Sequence, residues 1–202
     1  MTWQKRIFDI VLVLALSVVL VPVIALISLL LMWQGGGPVF YRAERMKTVD
    51  EGFILWKFRT MQCRASNIGV TGGEKLSQIT RSGRWLRRYR LDELPQLLNI
   101  LRGDISFVGP RPPLRYYTER FPELYAQVLT CRPGVTGLAT LHIHQYEARV
   151  LAECSNADET DKVYVTRCLP RKARLDLIYQ NHRGVCFDGM IILKTIQRVF
   201  GR

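Results

Sequence analysis

The hydrophobic residues are unevenly distributed, with one long apolar block near the N-terminus and mixed sequence after it. Residues 10–32 form an uncharged run of 23 residues, IVLVLALSVVLVPVIALISLLLM. A helix of this length spans a hydrocarbon layer of about 30 Å. The run is longer than the apolar part of a typical signal peptide, and no clear small-residue cleavage motif follows it. The pattern therefore predicts a membrane segment.

Two features bear on how this segment meets the membrane. Lys5 and Arg6 precede it and three cations follow between residues 42 and 47, so the positive-inside rule favours neither direction. Pro22 lies near its centre, where proline removes a helical hydrogen bond and bends the helix. A helix broken at mid-depth can enter and leave by one face, but a kinked helix can also cross. The residues alone leave both topologies open.

The remaining chain alternates short apolar stretches with polar turns, after a breaker cluster that follows Trp33. We expect strands at 39–42, 53–58, 105–108 and 138–144. We expect helices at 83–90, 95–101, 114–129, 145–153, 171–181 and 187–199. A turn is expected at 132–137 and a Gly-, Ser- and Thr-rich loop at 64–80. The fold class predicted is α+β, with a membrane helix at 1–36 and a small body of amphipathic helices and short strands at 37–202.

Net charge narrows the classes of partner. Lys and Arg number 29 against 17 Asp and Glu, giving +12 over 202 residues. Lys5, Arg6 and Asp9 leave only +1 on residues 1–38, so the body carries the excess. Such a basic body is suited to bind nucleic acid, an anionic membrane face or phosphorylated ligands.

The five cysteines are scattered without a CxxC pair, which argues against a disulfide framework and gives little support to a zinc site.

Five arginines within residues 81–90 are followed at once by Asp92 and Glu93, then Leu94-Pro95. One interpretation is a basic helix face on anionic lipid that ends in ordinary helix-start residues. The other is a carboxylate at the start of a proline-initiated helix, whose positive field and neighbouring arginines lower its pKa. Such an acid stays ionised, can bind a divalent cation and can attack phosphorus.

Other segments offer weaker signals. GPRPP at 109–113 holds Arg111 on a stiff loop suited to bidentate phosphate binding, although a solvated turn has the same sequence. RPGVTG at 132–137 offers backbone amides that can approach an anion. His142 and His144 would share one face of a strand, as a structural or hydrogen-bonding pair rather than a metal site.

Two late acids lie in apolar helical sequence. Asp176 stands in RLDLIY and Asp188 in CFDGMIIL. A buried carboxylate is usually paired or functional, because burying it alone costs free energy. Asp188, at an expected helix start, is the better candidate of the two.

Several segments together resemble the monotopic phosphoglycosyl transferases, a bacterial sugar transferase family, in their minimal single-domain form. The resemblance begins with KRIFDI at 5–10 and the Pro-interrupted apolar run, and continues with KFRTM at 57–61. Its core is GRWLRRYRLDELPQLLNILRGDISFVGPRPP at 83–113, followed by RPGVTGLA at 132–139. It covers nearly the whole chain.

The resemblance implies an enzyme that transfers sugar 1-phosphate from a UDP-sugar to undecaprenyl phosphate, with release of UMP. It implies a Mg²⁺-dependent reaction in two steps through a phosphosugar–aspartyl intermediate, which initiates O-antigen, capsule, exopolysaccharide or glycoprotein glycan assembly. It also implies a re-entrant helix broken at Pro22, with the body on the cytoplasmic face of the bacterial inner membrane. A homodimer is compatible with it.

The resemblance also assigns residues. Asp92 is the nucleophile and a metal ligand, Glu93 its partner acid and Asp188 a supporting acid. Arg87 and Arg111 bind substrate phosphates. The segment after residue 139 departs from the family pattern, so the candidates for nucleotide-sugar contacts are Arg132, Thr136, Gly137, His142, His144 and Arg149. The alternative is a membrane-anchored basic nucleic-acid-binding module, but no recognisable nucleic-acid-binding motif occurs, and we expect no nucleic-acid partner.

Overall fold

The computed structural model describes residues 2–35, 37–62 and 78–201. Helix α1 spans Trp3–Gln34 and contains Pro22 within an unbroken helix. The expected helix–break–helix is therefore wrong as an interruption of secondary structure. Proline removes only one hydrogen bond, and an apolar segment keeps its remaining backbone groups bonded internally. Within the described residues, α1 is the one helix long and apolar enough to cross a membrane.

The chain continues into an antiparallel hairpin of β1, Phe40–Met46, and β2, Gly52–Phe58. Its register places Tyr41 opposite Lys57 and Arg45 opposite Phe53. The sequence predicts both strands and the turn between them, but β1 extends further than expected. Of the loop expected at 64–80, residues 64–77 lie outside the described residues.

Three short helical segments follow: α2 at Arg81–Arg88, a 3₁₀ helix at Leu91–Gln96 and α3 at Leu97–Arg102. The side chain of Thr80 caps α2 by accepting the Gly83 N–H at 2.9 Å. Pro95 lies inside the 3₁₀ helix instead of starting a helix as expected. Proline has no N–H, so this position donates no backbone hydrogen bond within the helix, and its fixed φ of about −65° fits 3₁₀ geometry.

A second, parallel pair of strands joins β3, Ser106–Val108, to β4, Gly134–Thr136. Residues 132–137 were expected as a turn only. Between the strands lie α4, Arg115–Arg120, and α5, Pro122–Val128, in place of one helix at 114–129. The residue before a proline disfavours helical geometry, so the break falls at Phe121.

The C-terminal part is helical: α6 at Leu138–Ala152, α7 at Ala157–Val163, a π-helical turn at Tyr164–Cys168, α8 at Leu169–His182 and α9 at Val185–Phe200. The strand expected at 138–144 is wrong. Its alternating apolar residues continue into a segment rich in helix formers, and tertiary packing of α6 against α8 decides the conformation.

Both ends of α1 pack against the body. Near its start, Val13 is buried with side chains of β2, α3 and the residue before β3. Near its end, Ile27 and Leu31 are buried with Phe58 and Leu86. The middle of the helix is exposed, with Val18 at 76%. A separate core cluster forms where α4, α5, α6 and α8 meet.

Candidate active site

Asp92 and Glu93 lie in the first turn of the 3₁₀ helix, and each is 8% exposed. Arg90, the residue before this helix, has a φ of 56°, a left-handed conformation that is uncommon for a residue with a side chain. Its Nη2 donates to Glu93 Oε2 at 2.7 Å. The turn that carries the acids is thus fixed by an ion pair across a strained backbone position.

Glu93 is held by three cations. Besides Arg90, Lys57 Nζ donates to Oε1 at 3.0 Å and Arg111 Nη2 donates to the same oxygen at 3.1 Å. Burial alone would raise the pKa of Glu93, but Lys57, Arg90 and Arg111 outweigh it and hold the pKa well below its usual value. Glu93 therefore stays ionised and organises the cations around it.

Asp92 has a different environment from its neighbour. Among the described residues, no side chain donates a hydrogen bond to it. Burial and the charge of Glu93 raise its pKa, although Lys57, Arg87 and Arg111 oppose the shift. Arg87 and Arg111 do act to lower this pKa as expected, but the expected net lowering is wrong, because desolvation and the adjacent carboxylate outweigh the cations. A desolvated carboxylate without hydrogen-bond donors is a stronger nucleophile than a solvated one.

The buried side-chain amide of Asn99 joins strand β2 to α3, the helix that follows the two acids. The Asn99 Nδ2 group donates to Ile54 O at 2.7 Å, and the Trp56 N–H donates to Asn99 Oδ1 at 3.1 Å. These bonds join α3 to β2 and place Lys57 over Glu93. The role of Lys57 was not predicted, although its sequence carries a signal: a lysine inside the apolar strand FILWKF, since a buried cation requires a partner.

Arg87 lies beside the pair on α2. Its Nε donates to Thr60 Oγ1 at 2.9 Å. Burial lowers the pKa of Arg87, while the charges of Asp92 and Glu93 oppose the shift. The structure thus brings Arg87 and Arg111 to the two acids, and their expected binding of substrate phosphates stays a prediction.

The 132–137 segment supports the Arg111 loop through backbone contacts. The Gly109 N–H donates to Thr136 O at 2.9 Å, and the Gly134 N–H donates to Pro110 O at 2.8 Å. At Gly137, a Cβ atom would overlap the carbonyl oxygen of Gly109. These positions therefore need close backbone approach, and the Gly134 amide already has a protein acceptor.

Two other candidates of this segment, Thr136 and Arg132, lie near α9 and near the start of α1. Thr136 is buried, and its hydroxyl lies 2.9 Å from that of Thr195 on α9. Arg132 lies near the start of α1, where burial and the charge of Arg6 lower its pKa and Asp9 opposes this.

Helix α6 separates the two histidines, because positions two apart on an α-helix differ by about 200°. His144 is within electrostatic reach of Arg90 and Arg111. Its side chain is exposed, yet the surrounding protein and these two arginines disfavour the charged form and lower its pKa, so the imidazole is neutral at pH 7. His142 and Arg149 are exposed on the same helix.

Asp188 is 1% exposed and contacts the start of α1. It forms a short ion pair with Lys5 and accepts the Tyr179 hydroxyl at 2.7 Å. The Tyr179 oxygen also lies 3.1 Å from Val108 O, at the end of β3. The structure thus connects Asp188 with α1 and with the strand that leads into the Arg111 loop, not directly with Asp92.

The carboxylates of this site differ in how well they suit a magnesium ion. The described residues contain no group of three or more His, Cys, Asp or Glu suited to a metal ion. Mg²⁺ commonly takes one or two protein carboxylates together with substrate phosphates. Asp92 receives no hydrogen bond from a cation among the described residues and fits such a ligand, whereas the oxygens of Glu93 are occupied by three cations.

An acid pair ringed by cations, beside an apolar helix, defines a site suited to phosphate chemistry near a membrane. A family model described as bacterial sugar transferase matches residues 1–202, and the chain belongs to this family.

Curated relatives carry related names. The chain is 41% identical over 141 residues to a UDP-glucose:undecaprenyl-phosphate glucose-1-phosphate transferase of Caulobacter vibrioides, covering 67% of this chain and 52% of that protein. It is 40% identical over 118 residues to a putative undecaprenyl-phosphate N-acetylgalactosaminyl 1-phosphate transferase of Bacillus subtilis, covering 58% and 66%. An Escherichia coli protein with the same name as the first is 30% identical, covering 97% and 40%. The chain thus spans about half the length of the first relative.

Proposed function

We propose that this chain transfers sugar 1-phosphate from a UDP-sugar to undecaprenyl phosphate, giving undecaprenyl diphosphate sugar and UMP. The names of its relatives support this donor and this acceptor. The observation that carries the proposal is the contrast between two adjacent buried carboxylates. Glu93 binds three cations, and Asp92 is left without a donor among the described residues.

In the first step, a carboxylate oxygen of Asp92 attacks the phosphorus that bears the sugar. An Asp–O–P bond forms, and the P–O bond to UMP breaks with its electron pair on UMP. In the second step, a phosphate oxygen of the lipid attacks the same phosphorus, and the Asp92 carboxylate is regenerated. Neither step requires an oxidant, a reductant or water.

The cations supply charge where the reaction needs it. Lys57, Arg87, Arg90 and Arg111 surround the two carboxylates, so the site keeps a positive excess for phosphate oxygens. Glu93 holds three of these cations in place before substrate arrives, and preorganised charge lowers the barrier of phosphoryl transfer. A magnesium ion held by Asp92 and substrate phosphates would neutralise additional phosphate charge.

Helix α1 is proposed to dip into the membrane and return to the same face. A crossing helix would place Val13 and Leu31 near opposite faces of a hydrocarbon layer of about 30 Å. Both residues are buried against one body, which carries most of the positive charge and cannot extend through that layer. Basic residues at both ends of α1 support the cytoplasmic face of the bacterial inner membrane.

UMP release by the full-length protein tests the proposed activity. The purified chain in detergent should release UMP from at least one UDP-sugar when both undecaprenyl phosphate and Mg²⁺ are present. Asp92→Asn should abolish release, whereas Asp50→Asn, in the exposed hairpin turn, should not change it. An active wild type whose Asp92→Asn variant is equally active would exclude the covalent route, and a wild type inactive with every UDP-sugar would overturn the proposed function.

A further inference from the structure

Arg45 lies on the strand face that is turned towards the acids. In the β1–β2 register, Arg45 is opposite Phe53, and Tyr41 is opposite Lys57. Because side chains alternate along a strand, Tyr41 and Arg45 share a face with Lys57, whose ammonium group binds Glu93. Arg45 is half-buried on this face. Neither the family resemblance nor the names of relatives assign it a role.

The Met46 N–H donates to Pro113 O at 3.0 Å, which brings the end of β1 and Arg45 next to the loop that carries Arg111, and Arg45 has no acid partner among the described residues. Within the described part of the chain, its hydrogen bond is made by Nη1 to the backbone oxygen of Glu44 at 2.9 Å, and it forms no ion pair. The carboxylate of Glu44 is engaged elsewhere, since it accepts from Arg115 Nη2 at 2.7 Å. Burial and repulsion by Arg111 lower the pKa of Arg45 to about 10.

This arrangement differs from that of the other cations near Glu93. Lys57, Arg90 and Arg111 each bind the Glu93 carboxylate within 3.1 Å. A partly desolvated guanidinium beside a like charge is unfavourable unless an anion joins it. Phosphate is an anion of suitable geometry, because a guanidinium group binds two of its oxygens at once.

We propose that Arg45 and Arg111 together bind a phosphate group of a substrate. This inference rests on the proposed function, in which two phosphate-bearing substrates reach the site in turn. The phosphate is either in the diphosphate of the UDP-sugar or at the head of the polyprenyl lipid. Arg111 is shared between Glu93 and this phosphate, whereas Arg45 serves the phosphate alone.

Steady-state kinetics of Arg45→Gln test the proposal, with each substrate varied in turn. KM for one phosphate-bearing substrate should rise about tenfold or more, while kcat changes less than about threefold. The substrate whose KM rises identifies the source of the phosphate. Arg45→Lys should fall between wild type and Arg45→Gln, because an ammonium group keeps the charge but not the paired hydrogen bonds. Unchanged KM values for both substrates, or a fall in kcat alone, would overturn the proposal.

A matched control lies three residues away on the same strand. Arg42 is exposed and sits over the Trp56 ring, 5.9 Å from its centre, on the opposite strand face. Arg42→Gln should therefore leave both KM values unchanged. If Arg42→Gln raised KM as much as Arg45→Gln, general surface charge would explain the effect, and the subsite would be rejected.

Binding of inorganic pyrophosphate separates this proposal from the proposed function. Pyrophosphate should raise the thermal unfolding temperature of the wild type and of Arg42→Gln in detergent, and should have a smaller effect on Arg45→Gln. Equal stabilisation of all three proteins would overturn the subsite even if UMP release is confirmed. A selective loss in Arg45→Gln would support the subsite even if no UDP-sugar is turned over.

Discussion

Arg111 donates a hydrogen bond of 3.1 Å to Glu93, joining the loop after β3 to the 3₁₀ helix that carries both acids. Through this contact Glu93 anchors Arg111, while Asp92 is the proposed nucleophile. The two carboxylates differ in their hydrogen-bond partners and not in their burial, since each is 8% exposed.

Replacing Glu93 by Gln should lower kcat by about 100-fold, because three cations lose the charge that positions them. The pKa of Asp92 should fall at the same time, since the charge of Glu93 helps to raise it. The measurement is a pH–rate profile of UMP release, with Glu51→Gln in the exposed turn as control. A full rate in Glu93→Gln would show that the cations do not depend on this carboxylate.

Replacing Gly137 by Ala should displace the loop that carries Arg111, because the new methyl group would overlap the backbone of Gly109. Overpacking of this kind costs about 1–3 kcal/mol of stability, and we expect activity to fall more than tenfold. Gly189→Ala is the matched control: it meets nothing within 4 Å and lies in helix α9. Denaturant unfolding and UMP release measure both effects, and equal results for the two variants would contradict the supporting role of Gly137.

Asp176 should make the protein less stable as the pH rises. It is 6% exposed, its Oδ1 lacks a partner among the described residues, and burial raises its pKa to about 7 despite the charge of Lys172. Because the folded-state pKa exceeds the unfolded value near 4, the folded state binds more protons between these values. Stability should therefore decline from about pH 4 to 7 and then level off.

Asp176→Asn should remove this decline and gain up to about 4 kcal/mol relative to wild type at pH 8, since each pKa unit corresponds to about 1.4 kcal/mol. Denaturant unfolding at pH 5 and pH 8 provides the measurement. The gain should be clearly smaller at pH 5, and a gain independent of pH would refute the titration.

Lys5 and Asp188 should be energetically coupled. The pair joins the start of α1 to α9, and removing one partner of a buried ion pair costs about 3–5 kcal/mol. A double-mutant cycle with Lys5→Met and Asp188→Asn should show coupling of at least about 1 kcal/mol in thermal unfolding. The exposed Lys47–Glu51 pair, taken through the same cycle, should show about 0.5 kcal/mol or less. Additive effects for Lys5 and Asp188 would contradict the docking of α1 through this pair.

The elements that depend on local pattern could be predicted from the sequence. The hairpin, the helix after Thr80 and the late helices follow from hydrophobic spacing, and the acids at 92–93 stood out beside their arginines. The strand expected at 138–144 failed because a short alternating pattern fits a helix equally well until packing decides.

Contacts between distant residues could not be predicted. Lys5 and Asp188 are 183 positions apart, and Lys57 lies 36 positions before Glu93. Local spacing carries no information about such pairs. The direction of the Asp92 pKa shift was missed for the same reason, since it depends on how deeply the fold buries the pair.

Intact-protein mass spectrometry can detect the proposed covalent bond between Asp92 and the phosphosugar. The full-length protein is incubated with the UDP-sugar that supports UMP release and with Mg²⁺, but without the lipid acceptor. The wild type should gain the mass of one sugar phosphate, lose it when undecaprenyl phosphate is added, and show no gain as Asp92→Asn. Two results would contradict a covalent intermediate on Asp92. One is a wild type that releases UMP only when the lipid is present and never gains mass. The other is an adduct that persists in Asp92→Asn.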